Sequence, residues 1–121
     1  MESKNRPLVR RSEDGLKGLA QAWRREQSLR TQAVASGAAL VVVLVLQPPL
    51  AWQIALAAML IVGLAAELLN GSIEALLDRL HPEHDPEVGA AKDMSSAAVL
   101  VINLASTAIF AGSVVASIAS R

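Results

Sequence analysis

Polar and apolar positions separate along this chain into long blocks instead of alternating. No charged side chain occurs in residues 31–66, and none occurs in residues 94–120. Each block is longer than the roughly 20 residues a helix needs to cross a hydrocarbon layer. The first is too long for one untilted span and is interrupted by Gln47, Pro48 and Pro49. Two consecutive prolines remove two backbone donors and disfavour helix at the residue before each, so they predict a turn between two helices. The expected spans are therefore about 31–46, 50–70 and 94–118. Nothing breaks the second pattern near residue 70, so that helix should continue to about residue 80. At about 1.5 Å per residue its length is about 45 Å, and its end must project from the membrane.

Upstream, Leu16, Leu19, Ala20 and Trp23 recur at i, i+3, i+4 and i+7 among Lys17, Gln21, Arg24, Arg25 and Ser28. That spacing predicts an amphipathic surface helix. The fold class expected is thus an all-α membrane protein, with a 1–30 arm carrying the surface helix and a 31–121 domain of three transmembrane helices. The polar start of the chain has no apolar core of a secretory signal, so the arm is expected to stay in the mature protein.

Charge fixes an orientation. Residues 1–30 hold eight Lys and Arg, including Lys4 and Arg6, against four acids, which assigns the N-terminus to the cytoplasm. Two crossings return the chain to the same side, so the 67–93 connector is cytoplasmic as well. Its seven acids and two bases do not oppose this, because acids count little in the orientation rule. Trp23 and Trp52 then fall at opposite interfaces as anchors. The expected location is a bacterial inner membrane, crossed several times.

Composition removes several chemistries. The chain has no Cys and a formal net charge of zero, so it has no disulfide framework or thiolate site and no basic surface for nucleic acid. It contains neither a G-x-x-x-x-G-K-[ST] loop nor a G-x-G-x-x-G turn, so any nucleotide must be held in another way. His81 and His84 have no third nitrogen or sulfur ligand to complete a zinc site. Spans two and three are rich in Gly, Ala and Ser, which permits close helix approach; three thin spans favour a homo-oligomer over a monomer.

The candidate chemistry lies where the second span leaves its apolar stretch, at Glu67-Leu-Leu-Asn70-Gly-Ser-Ile-Glu74-Ala-Leu-Leu-Asp78. At about 100° per residue, Glu67, Asn70, Glu74 and Asp78 share one arc of the helix. Like charges at i, i+4 repel, so such a ladder asks for a cation, and a hard divalent ion such as Mg²⁺ takes carboxylate and phosphate oxygens together. Glu67 lies near the hydrocarbon boundary, where an ionisable side chain is a functional candidate. Glu67 and Glu74 are about 10 Å apart along the axis, so they suit two tasks: proton abstraction near the lipid and metal binding nearer the cytoplasm. At the start of the third span, Lys92 is placed to meet phosphates while Asp93 or Ser95 caps the helix.

At these residues the sequence resembles the prokaryotic integral-membrane diacylglycerol kinases. The resemblance runs from about residue 15 to residue 101. It is carried by Ala22-Trp23 with Glu26 and Arg30, by the 67–79 run, and by Ala91-Lys92-Asp93-Met94 leading to Ser96. It implies a homotrimer of three-span subunits with active sites built between subunits, and an ATP- and Mg²⁺-dependent transfer of the γ-phosphoryl group to diacylglycerol, giving phosphatidic acid. By the same resemblance Glu67 is the general base, and Glu26 and Glu74 hold Mg²⁺. Asn70, Lys92 and Asp93, with Glu26 and Glu74, line the ATP site, which Glu83, His84 and Asp85 approach on the adenine side. Trp23, Arg30, Ser96 and Glu67 face the acceptor lipid. Gln32 stands where the family often has an acid, and Arg6, Pro7 and Asp14 do not align cleanly with the family's N-terminal contacts. An undecaprenol kinase of the same family would keep the acidic ladder and change the acceptor. A small membrane transporter or scaffold would use Glu67 as a proton or cation site, but would favour helices broken near the midplane, and the pattern has none.

Overall fold

The computed structural model describes residues 7–121; Lys4 and Arg6 of the basic arm lie outside them. Four helices follow one another: α1 (Leu8–Arg25), α2 (Gln27–Leu46), α3 (Leu50–Leu80) and α4 (Pro86–Ala119). The last three are long and apolar enough to cross a membrane.

A single residue separates α1 from α2. Glu26 is extended, at φ −105° and ψ 101°, while its N–H still donates to the Ala22 carbonyl. The exposed carbonyls that end α1 need donors. Arg30, one turn into α2, supplies them across the break: its guanidinium donates to the carbonyl oxygens of Trp23 at 2.5 Å and Arg24 at 3.2 Å. At the other end of α2, Gln47 adopts the left-handed conformation (φ 51°, ψ 57°). Its side-chain amide donates to the Leu44 carbonyl at 2.6 Å, which helps a non-glycine residue hold that position. Pro48 and Pro49 then lead into α3.

The start of α4 corrects one expectation. The helix begins at Pro86, not near residue 94, and its cap is Asp85, whose carboxylate accepts the Glu87 N–H at 2.8 Å. Proline at the first helical position loses no needed donor. Asp93 and Ser95 therefore lie inside α4 and cap nothing. Lys92 is also inside it, facing Asp78 at the projecting end of α3, with Nζ 2.5 Å from Oδ1.

α3 and α4 pack antiparallel along most of their length, with α2 laid against both. Residues that meet descend α3 as they ascend α4: Asp78 with Lys92, Gly63 with Ile102 and Asn103, and Trp52 with Gly112. Small residues make this possible. Gly63, Gly71, Ser106, Ser113 and Ser117 are all buried. The three serines donate to carbonyls of their own helix, at 2.7–2.9 Å, so their hydroxyls are satisfied without a partner across the interface. Larger apolar side chains such as Ile54, Ile61, Leu100, Leu104 and Val115 point outward. That inversion suits a hydrocarbon surround, where helix association comes from close packing and not from apolar burial.

Closeness is greatest at Gly112, where a Cβ would overlap the six-membered ring of Trp52. Gly15 in α1, by contrast, has nothing within 4 Å of where its Cβ would be. Gly112→Ala is therefore expected to lower stability by roughly 1–3 kcal/mol through overpacking. Gly15→Ala is expected to be neutral or to stabilise by up to ~1 kcal/mol through helix propensity. Denaturation in mixed micelles, followed by helical circular dichroism, measures both.

Candidate active site

Glu67 is the residue around which the site is built. It lies on α3 and is only 6% exposed, so its carboxylate must find a partner or incur a large desolvation cost. The partner is Ser28, two residues past the α1–α2 break, whose hydroxyl donates to Oε1 at 2.6 Å. Oε2 has no partner among the described residues, and Glu67 lines a cleft of about 760 Å³ that runs along α2, α3 and α4.

The break also delivers Glu26. Its carboxyl group rests on Gly71 of α3, where a Cβ would lie 3.3 Å from Cδ and 3.6 Å from Oε1. Gly71 is one turn beyond Glu67 and three residues before Glu74, so Glu26 approaches the acidic face of α3 within the same chain. A boundary between subunits is not needed to bring Glu26 beside that face. Glu74 is half-buried. Between the two acids of α3, Asn70 has a fully buried Oδ1 with no donor, an orphaned acceptor of the kind that marks a missing ligand.

The remaining expected residues divide. Lys92 is half-buried and paired with Asp78, near the projecting end of the same α3 face. Glu83 and His84 lie in the exposed loop between α3 and α4, and Asp85 holds the cap of α4. Asp93 and Ser96 are exposed on α4. Trp23, 46% exposed, borders a second, almost wholly apolar groove with Leu16, Leu19, Ala20 and, from α2 and α3, Leu29 and Leu64. Arg30 is engaged with the α1 carbonyls, a task that spacing alone did not suggest.

Among the described residues, no three acidic or histidine side chains converge as a closed metal cage. Two carboxylates and an orphaned amide oxygen do fit Mg²⁺, which commonly takes one or two protein carboxylates and completes its shell with phosphate oxygens and water.

Sequence reasoning missed Ser28, Gln32 and Asn103, all of which line the cleft. A signal was present: Ser28, Gln32 and Ser36 recur at i, i+4 and i+8 in α2, and Asn103, Ser106 and Thr107 at i, i+3 and i+4 in α4. Each series marks one polar stripe on an otherwise apolar helix.

The family model for prokaryotic diacylglycerol kinase matches residues 13–115. The chain is 38% identical to the diacylglycerol kinase of Escherichia coli strain K12 over 85 residues, covering 70% of each chain. It has the same identity and coverage with the diacylglycerol kinase of Shigella flexneri. The match spans α1 through most of α4, including the break at Glu26, the acidic face of α3 and the Lys92 region, and so the chain belongs to the prokaryotic diacylglycerol kinase family.

Proposed function

We propose that this protein is a lipid kinase that transfers the γ-phosphoryl group of ATP to the free hydroxyl of diacylglycerol, giving phosphatidic acid and ADP. The observation that carries the reading is the buried Glu67 carboxylate, fixed through Oε1 by Ser28 at the lining of the cleft. A lipid hydroxyl is a weak nucleophile, and a base held at its depth removes the proton as the oxygen attacks phosphorus. The O–H bond breaks toward Glu67, the new P–O bond forms, and the bond between the γ-phosphorus and the β,γ-bridging oxygen breaks to release ADP. The proton on Glu67 is then lost to solvent.

Glu26 and Glu74 would hold Mg²⁺, which supplies charge neutralisation around the transferring phosphoryl group. Asn70 would offer its orphaned oxygen to the same region. Lys92 would exchange Asp78 for a phosphate. The pair is open to solvent, with side chains 34% and 66% accessible, so water screens it and separating the two costs little. Asp93 lies beside Lys92, while Glu83, His84 and Asp85 would approach the adenine. Trp23, Arg30 and Ser96 would border the lipid.

The reading has α1 lying at the cytoplasmic surface of a bacterial inner membrane, with residues 31–121 as the membrane domain and the 67–93 connector on the same side as the N-terminus. It also has three copies associating as a homotrimer. The outward-facing small residues of α3 and α4, among them Ala65, Ala105, Ala108 and Ala111, support close approach of neighbouring subunits.

The test is ATP consumption by purified protein in micelles with diacylglycerol, with undecaprenol or without lipid. Stimulation by diacylglycerol is the expected result, and lipid-independent hydrolysis alone would refute the proposal. Glu67→Gln keeps the side-chain shape and removes the base, so turnover should fall by roughly 10²–10⁴-fold with Mg·ATP affinity nearly unchanged. Near-normal turnover would eliminate Glu67 as the base. Glu26→Ala and Glu74→Ala should each weaken the Mg²⁺ dependence. Combined, they should cost much less than the sum of the two, because both act through one ion. An additive double-mutant cycle would separate them.

A further inference from the structure

Deeper in the cleft than Glu67, two amide side chains meet. Asn103 of α4 donates from Nδ2 to Oε1 of Gln32 on α2 at 3.3 Å. They meet beside Gly63 of α3, where a Cβ would lie 3.0 Å from Gln32 Nε2 and 3.5 Å from Asn103 Oδ1. Any larger residue at 63 would push into this pair. Gly63 precedes Glu67 by four residues, so the pair sits about 6 Å further along the helix axis, within the apolar part of α3.

Polar side chains at such depth are costly in hydrocarbon and tend to mark binding sites. A structural reading would make the pair simple glue between α2 and α4. One hydrogen bond of 3.3 Å is weak glue, since a single such contact between membrane helices contributes little. The pair is also incomplete. Among the described residues the Gln32 Nε2 hydrogens have no acceptor and Asn103 Nδ2 uses one of its two, and neither nitrogen is both buried and unpartnered. Both residues line the same cleft as Glu67. Among the described residues no side chain of the cleft accepts from the remaining amide donors, so these are available to an acceptor that enters the cleft.

We propose that Asn103, oriented by Gln32, is a specificity-determining residue that reads the ester linkage of the acceptor lipid. This inference rests on the kinase reading, with the lipid hydroxyl at Glu67. In a diacylglycerol the ester carbonyls lie only a few bonds below the free hydroxyl, a separation comparable to one helical turn. Their oxygens accept hydrogen bonds and donate none, which matches the unused donors. A polyprenol has only hydrocarbon below its hydroxyl and would leave both amides without partners in an apolar surround. A site built to hydrogen-bond a substrate group discriminates against an analogue that lacks it, because its own polar groups are then left unpaired.

The experiment compares two short-chain acceptors of the same shape in mixed micelles, dioctanoylglycerol and its diether analogue, which keeps the hydroxyl and loses both carbonyls. Labelled phosphate transferred to lipid is the readout, with undecaprenol as a third acceptor. For the wild-type protein kcat/KM should favour the diester by about tenfold, mainly through KM, the worth of one additional hydrogen bond. Asn103→Leu should bring the diester-to-ether ratio close to one. Gln32→Met, a second variant that removes the orienting amide by a different route, should move the ratio the same way and serves if Asn103→Leu does not fold. A wild-type ratio of one overturns the inference. So does an equal fall on both acceptors in the variants, which would leave the pair as structural glue. If the wild-type protein phosphorylates none of the three lipids, the kinase reading itself fails, an outcome distinct from an undiscriminating kinase.

Discussion

The burial of one carboxylate at the end of an apolar helix is the constraint that organises this molecule. A charge taken from water into such a setting costs several kcal/mol unless hydrogen bonds replace its hydration. Ser28, on the first turn of α2, supplies one such bond to Glu67 at 2.6 Å, and the break at Glu26 lets Glu26 turn to the same helix. Had α1 run on into α2 as one helix, Glu26 and Ser28 could not both turn toward α3. Arg30 ties the end of α1 across the break, and the missing side chain at Gly71 leaves room for Glu26. One irregular residue therefore lets Ser28 on α2 meet Glu67, the proposed base, while Glu26, one of the two carboxylates proposed for the metal, turns to the same helix.

The packing follows the same economy. A wall shared by three helices and a cleft of about 760 Å³ would be hard to build from large side chains. Glycines and self-bonded serines along α3 and α4 let the backbones approach, while many bulky apolar residues face outward and only Leu29, Val43, Leu56 and Val99 are buried among the described residues. The two long helices then hold the acidic face of α3 and the Lys92 turn of α4 together beyond the apolar segment, joined by the Asp78–Lys92 pair. On the proposed reading, phosphate chemistry and lipid chemistry are stacked along one axis, the first near the Asp78–Lys92 pair and the second at Glu67.

Much of this was legible in the sequence because strong physical signals carry it. Uncharged runs longer than a bilayer is thick and a double proline define the three apolar helices, and the acidic face of α3 follows from helical spacing alone. The start of α4 was misread because hydropathy marks where a chain becomes apolar, not where it becomes helical. Asp85-Pro86 was the better signal, a capping residue followed by proline at the first helical position. The break at Glu26 left no comparable mark, having neither Gly nor Pro. Ser28, Gln32 and Asn103 were hidden for a different reason: each is an uncharged polar residue in a membrane helix, and only the meeting of three helices shows that their stripes share one cleft.

The account depends most directly on the position of the Glu67 carboxylate, not merely on its charge. Glu67→Asp keeps the charge and withdraws the group by one methylene, away from Ser28 and from the acceptor hydroxyl. Steady-state transfer of phosphate to diacylglycerol should then show kcat reduced by roughly 10²-fold, the order of loss expected for a misplacement of about 1 Å, with the KM for Mg·ATP unchanged. An aspartate variant that turns over at the wild-type rate would contradict the central claim.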